Sequence, residues 1–190
     1  MAQKKNKGVV ETKCGQALNL LAPQAASITL EDIAHGLANT CRFGRMADPY
    51  YSVAQHSILV SRWAEEENCS LEIIQAALLH DAHEPFLGDI ATPLKRSFRS
   101  WRKLAEQLDK AIGKSLAVDH TLFETPVVKE FDYLALSVEA YQLMPVQISA
   151  WDGDLIPREE IPAGKKITRP LPPAAAKKAF LARARQLNLR

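Results

Sequence analysis

Two histidines and two aspartates could do chemistry together: His56, the adjacent pair His80-Asp81, and Asp132. The string Leu79-His80-Asp81-Ala82-His83-Glu84-Pro85-Phe86-Leu87-Gly88-Asp89-Ile90 also sets two imidazoles and three carboxylates side by side. Carboxylates at that density in a cleft repel one another unless a cation neutralises them. Two imidazoles and two carboxylates make a mixed nitrogen and oxygen donor set, suited to one borderline divalent transition metal such as Mn, Co, Ni, Fe or Zn. No further histidine pair follows at ligand spacing, which argues for one metal rather than two. Four protein ligands leave positions open for water, and the metal would make hydroxide available near neutral pH.

Helices must position these groups. Thr29-Leu30-Glu31-Asp32 reads as a capping box that opens a helix carrying Leu30, Ile33, Ala34 and Leu37. Ser52-Val53-Ala54-Gln55 reads the same way and places His56 in the first turn of its helix. Ser70 caps a third helix, with Leu71, Ile74, Ala77 and Leu78 as its stripe, that runs straight into His80-Asp81. Adjacent helical residues diverge by ~100°, so His80 and Asp81 can share an ion only off the helix's end or flank. Glu84 follows one turn on if that helix continues. Pro85, Gly88 and Pro93 predict a loop. Phe98, Trp101, Leu104, Leu108, Ile112 and Leu116 give the cleanest amphipathic pattern, with Trp101 in its core stripe. Thr125-Pro126 predicts an N-cap and first-turn proline for a helix to about Met144, with Asp132 at the edge of its apolar stripe. Residues 145–173 hold six of the eleven prolines and predict an irregular arm, and 174–188 predict a docked terminal helix. No strand-period segment is evident, so the expected class is all-α.

These residues resemble the HD-domain phosphohydrolase superfamily, whose metal motif is a histidine, a later His-Asp doublet and a distant aspartate. His56, His80, Asp81 and Asp132 match the four positions. The likeness is closest to the bacterial 5′-deoxynucleotidase branch, over about residues 29–145. It rests on Arg42-Phe43, Ser52-Val53-Ala54-Gln55-His56-Ser57, His80-Asp81-Ala82-His83-Glu84, Gly88-Asp89-Ile90-Ala91-Thr92-Pro93-Leu94-Lys95 and Asp132. The resemblance implies an HD-domain helical bundle; together with the element pattern this divides the chain into an N-terminal extension over 1–26, a helical core over 27–148, and a Pro-rich arm with a basic C-terminal helix packed on the core over 149–190. It implies release of phosphate from (deoxy)nucleoside 5′-monophosphates by attack of a metal-activated water. Glu84 and Asp89 would be the catalytic carboxylates. Arg42 would orient the phosphate, and Phe43 would face the sugar, at a place where that branch carries tryptophan. Asp89 and Lys95 complete the expected substrate contacts. A triphosphohydrolase of deoxynucleotides and a non-catalytic nucleotide- or metal-binding module are the competing readings. A Glu-Pro after the doublet and the lack of a Gly-Tyr-Pro motif disfavour the guanosine-tetraphosphate hydrolases and cyclic-dinucleotide phosphodiesterases.

The remaining polar residues are expected to be quieter. His83 is expected at the surface or just outside the ligand set, His35 as a structural histidine, and Cys41 lacks a base partner that would make it a nucleophile. The chain has 190 residues, 47% of them hydrophobic and 24% charged, an ordinary globular balance. Its formal net charge of +2 hides an asymmetry: residues 14–160 carry −9 and the two ends together +11. An acidic body argues against nucleic acid as the ligand, and the basic tail could dock a neighbouring subunit of a homodimer; a small-molecule nucleotide is what the resemblance implies. Three cysteines without CxxC spacing, no apolar run of ~18 residues and no signal-peptide core point to a cytoplasmic protein without a membrane partner.

Overall fold

Local capping sets the first three long helices. The Thr29 side chain accepts from the Asp32 amide at the start of α1 (Leu30–Asn39). Ser52 accepts from Gln55 at the start of α2 (Val53–Glu66), and Ser70 from Ile73 at the start of α3 (Leu71–Leu79). Then come α4 (Glu84–Leu87), α5 (Thr92–Ser97), α6 (Arg99–Leu116), α7 (Pro126–Leu143) and α8 (Pro173–Gln186). This computed structural model describes residues 8–145 and 155–190. The first seven residues of the expected N-terminal extension, and residues 146–154 where the expected core gives way to the arm, lie outside the described residues.

α2 is the central element, in contact with α1, α3, α7 and α8. Its first nine residues, Val53 to Ser61, are buried on every side, so its polar side chains all need partners. Ser57 donates to the Val53 carbonyl, and Ser61 accepts from Arg183 of α8. Gln55 turns to the arm, donating to Thr168 and Arg169 and accepting from the Leu171 amide. The apolar core around α2 includes Ile33, Leu37, Leu59, Leu78, Leu108, Ile112 and Phe180. α8 docks as expected from the sequence, with Ala176, Phe180 and Ala184 buried. Its Arg183 is buried too, paired with Glu65 and the Ser61 carbonyl rather than solvated. No described helix is long and apolar enough to cross a membrane.

Several local expectations are corrected. The first described element is an antiparallel hairpin, β1 (Val9–Glu11) and β2 (Ala17–Asn19), paired Val9 to Asn19 and Val10 to Leu18. Strands of three residues are too short to show a period of two. The hairpin is tied down where the Cys14 amide donates to Asp32 of α1. The stretch expected as a loop around Pro85 and Pro93 holds two short helices, each with proline in its first turn, a position that loses no hydrogen bond. The Thr125 hydroxyl donates back to Leu122 and does not cap α7. Phe98 is half exposed, and Trp101 leaves the core stripe for the site described next.

Candidate metal centre

α3 stops at Leu79, so His80 and Asp81 sit off its end, as sharing an ion requires. The His80 Nδ1 atom lies 2.9 Å from the Ala77 carbonyl, an acceptor, so Nδ1 carries the hydrogen and Nε2 points its lone pair into the site. His56, in the first turn of α2 and 0% exposed, is set the same way: its Nδ1 faces the Glu139 carboxylate at 2.9 Å. The two Nε2 atoms are 3.3 Å apart. Asp81 Oδ2 lies 3.7 Å from His56 Nε2 and 3.4 Å from His80 Nε2. Asp132 of α7 brings Oδ1 to 3.0 Å from His56 Nε2 and 3.7 Å from His80 Nε2, with its side chain 41% exposed at the mouth. Donors about 2.1 Å from one ion stand roughly 3.4 Å apart in a tetrahedron and about 3.0 Å apart at octahedral cis positions. His56, His80 and Asp81 could hold one metal ion between them, the two imidazoles buried and Asp81 half-buried, with Asp132 facing both imidazoles from the edge.

The protonation tendencies follow from the same packing. Burial and Arg42 pull the His56 pKa down, but Glu139 and Asp132 raise it to about 9. His80 is held well above its ordinary value because Asp81 and Asp132 outweigh burial. Burial opposes ionisation of Asp81 and Asp132, yet the imidazoles hold both carboxyls well below the usual range. The two carboxylates thus stabilise positive charge between them, carried by the imidazoles where no ion is bound.

Beside the donors lies a second group of carboxylates. Glu84 opens α4, because the chain breaks after α3 and restarts rather than continuing as one helix. Pro85 packs so closely on Gly36 of α1 that a Cβ there would collide with the Pro85 ring, so the glycine lets α4 seat. Gly88, at φ 87°, then turns the chain towards Asp89. Glu84 is 1% exposed; its Oε1 accepts from Lys95 Nζ at 2.9 Å, and Oε2 has no hydrogen-bond partner among the described residues. Burial and the Asp81 charge push Glu84 up to about 7 despite Lys95. The buried Asp89 Oδ2 also has no hydrogen-bond partner among the described residues. Lys95 lies over the Trp101 ring, 4.8 Å from its centroid. A pocket of about 630 Å³ opens against Glu84, Gly88 and Asp89, walled opposite by Thr40, Arg45 and Tyr50.

Arg42 sits on the loop between α1 and α2, closed by pairing of Cys41 with Ser52. It is buried, donates from Nε to Glu139 at 3.0 Å, and lies in the field of Asp89, Asp81 and Asp132. Phe43 follows it at φ 56°, its ring 5.4 Å from the Arg42 guanidinium carbon and packed on Ala47, Tyr51 and Leu143. His83 lies outside the ligand set, as the sequence suggests, but buried: Nδ1 pairs with Asp109 of α6 at 2.9 Å, and the ring meets Trp101 edge-on. His35 lies on α1 at a smaller pocket under the hairpin. Sequence reasoning missed Glu139 and Asp109. Glu139 had a signal: an acid two helical turns after Asp132, in a stripe of apolar residues.

The chain is 34% identical over 163 residues to the uncharacterized protein YfdR of Escherichia coli (strain K12), covering 85% of each chain. It is 36% identical over 137 residues to an uncharacterized protein of Rhodobacter capsulatus, covering 68% of this chain and 69% of that one. No protein-family model matches it. Similarity at that identity, over most of both chains, is inheritance of one fold, and this chain belongs to the family of YfdR and the Rhodobacter protein.

Proposed function

We propose that this protein is a metal-dependent phosphohydrolase of the HD-domain type that releases phosphate from (deoxy)nucleoside 5′-monophosphates. The observation that carries the reading is the donor set: His56 and His80, their Nε2 atoms 3.3 Å apart and both imidazoles oriented from behind, with an oxygen of Asp81 and one of Asp132 each 3.0–3.7 Å from those nitrogens. One divalent transition metal held there would supply Lewis-acid polarisation of a phosphoryl oxygen and acidify water.

The protein's own groups do the rest. Arg42, planar and permanently charged, has Nε engaged by Glu139 and turns its remaining nitrogens to a phosphate. Glu84, buried and poised near neutrality, takes and returns the proton, with Asp89 beside it as the second carboxylate. Lys95 holds Glu84 through one of its three donors and leaves two for an anion. Phe43 lies against the sugar carbon that carries a 2′-hydroxyl in ribonucleotides. The pocket at Glu84 and Asp89 has the volume of a small-molecule site.

Metal analysis combined with phosphate release across a nucleotide panel tests the reading. The expected result is about one divalent transition metal per chain and orthophosphate from deoxynucleoside monophosphates. Intact triphosphate from deoxynucleoside triphosphates would move the assignment to a triphosphohydrolase. Bound metal without turnover on any nucleotide would leave a binding module, and a metal-free, inactive protein would overturn the reading.

A further inference from the structure

Glu139 belongs to none of the sequence motifs, yet it is 0% exposed and touches two working parts of the site. A carboxylate this deep persists only with compensating partners. Oε1 faces His56 Nδ1 at 2.9 Å, and Oε2 accepts from Arg42 Nε at 3.0 Å. His56 presents its other nitrogen to the metal donors, and Arg42 is the phosphate-orienting group of the function proposed above. We infer that Glu139 is a positioning residue joining the metal ligand His56 to the phosphate-orienting Arg42, so that metal affinity and phosphate affinity depend on one carboxylate.

The chemistry of the side chain makes this specific. Both of its partners present N–H groups, so both of its ends must accept. Glutamine has one accepting end, and its amide nitrogen would face either Arg42 Nε–H or His56 Nδ1–H. No other side-chain hydrogen bond holds Arg42 among the described residues; its backbone is fixed by the Arg42 amide on the Tyr51 carbonyl and by the Arg45 amide on the Arg42 carbonyl. His56 likewise has no other partner on Nδ1. The inference rests on the phosphohydrolase reading, and wild-type binding separates the two: a wild type that binds no Co²⁺ overturns that reading, and this inference with it.

The experiment uses the full chain, with Co²⁺ affinity by chelator competition and inorganic phosphate affinity at saturating Co²⁺. Glu139→Gln should weaken Co²⁺ by about 10- to 100-fold, the usual effect of losing a ligand's outer partner. It should also weaken phosphate by about tenfold at full metal loading. Arg42→Lys should weaken phosphate, and in the double variant the loss should equal that of Arg42→Lys alone, because Glu139 acts on phosphate through Arg42. A purely structural role would lower the melting temperature and leave both affinities of the loaded protein unchanged, and that result overturns the inference. Additive phosphate losses overturn it too. Should Glu139→Gln fail to fold, Glu139→Asp, which keeps the charge but is too short to span both partners, must still lose at least about tenfold on one of the two ligands; wild-type affinity for both overturns the inference.

Discussion

Replacing Glu84 with glutamine separates proton handling from metal binding. Glu84 is 1% exposed, and its Oε1 is 2.9 Å from Lys95 Nζ. Alanine there would strand Lys95, whose side chain is 24% exposed, beside an emptied site. Breaking a buried ion pair in that way costs about 3–5 kcal/mol and would confound the activity reading. Glutamine keeps the volume and an oxygen for Lys95, converting an ion pair into a charged-to-neutral hydrogen bond at a cost of about 1–2 kcal/mol. A domain stable by roughly 5–15 kcal/mol stays folded through that loss. The amide cannot carry the proton, so turnover should fall by about 10²–10⁴-fold. That is roughly 3–5 kcal/mol on the barrier, with no folded fraction lost to account for it. The assay is steady-state phosphate release from a deoxynucleoside monophosphate, with metal content and thermal melting measured on the same sample. Turnover within about threefold of wild type with metal intact would refute the proton role. Metal loss in parallel with activity would instead make Glu84 a ligand.

Three further predictions address other parts of the molecule. His80→Ala removes one of four donors and should strip the metal while leaving helix content by circular dichroism nearly unchanged; full metal occupancy in the variant would contradict the ligand assignment. Phe43→Ala should admit ribonucleotides and Phe43→Trp should sharpen a deoxy preference of about 5- to 150-fold; equal kcat/KM for a matched ribo and deoxyribo pair in wild type and both variants would remove Phe43 from sugar reading. Asp32 accepts from Thr29 Oγ1 at 2.6 Å and from the Cys14 amide at 2.8 Å, hydrogen bonds that hold its carboxyl below the ordinary 3.8 against the opposing effect of burial. A depressed acid contributes stability that is present above 3.8 and lost as pH falls through the folded value. Asp32→Asn should therefore cost about 1–2 kcal/mol in urea melts at pH 7, with the gap to wild type closing in acid; a gap independent of pH would refute the role given to the carboxylate.

How much of this was readable in advance depends on the range of the interaction. The starts of α1, α2 and α3 were legible because a cap is a bond between residues three apart: Thr29 to Asp32, Ser52 to Gln55 and Ser70 to Ile73. A candidate donor set was legible too, because imidazoles and carboxylates are metal-binding groups by type alone, and His56, His80 and Asp81 do come together. The apolar periods of α6 and α7 by themselves predict Leu108, Ile112, Val128 and Val138 on the buried face, and all four lie in the core.

What the sequence could not determine was which polar groups would share a buried space. His56 and Glu139 are 83 residues apart, Arg42 and Glu139 are 97 apart, and His83 and Asp109 are 26 apart. No local rule links such pairs. An acid within an apolar stripe is costly until a partner arrives from another element, so Glu139 reads as an anomaly in α7 and becomes intelligible only beside α2 and the Arg42 loop. Trp101 left its expected core position for a similar reason: His83 and Lys95, both brought in by the turn after α3, offer its ring an edge contact and a cation. Residue type and short spacing determined the long helices and the candidate ligands by themselves; the tertiary packing of α2, α3 and α7 decided that His56, His80 and Asp81 gather with Asp132 facing both imidazoles, and which buried carboxylate stands behind His56, because a buried charge is settled by whatever the fold sets against it.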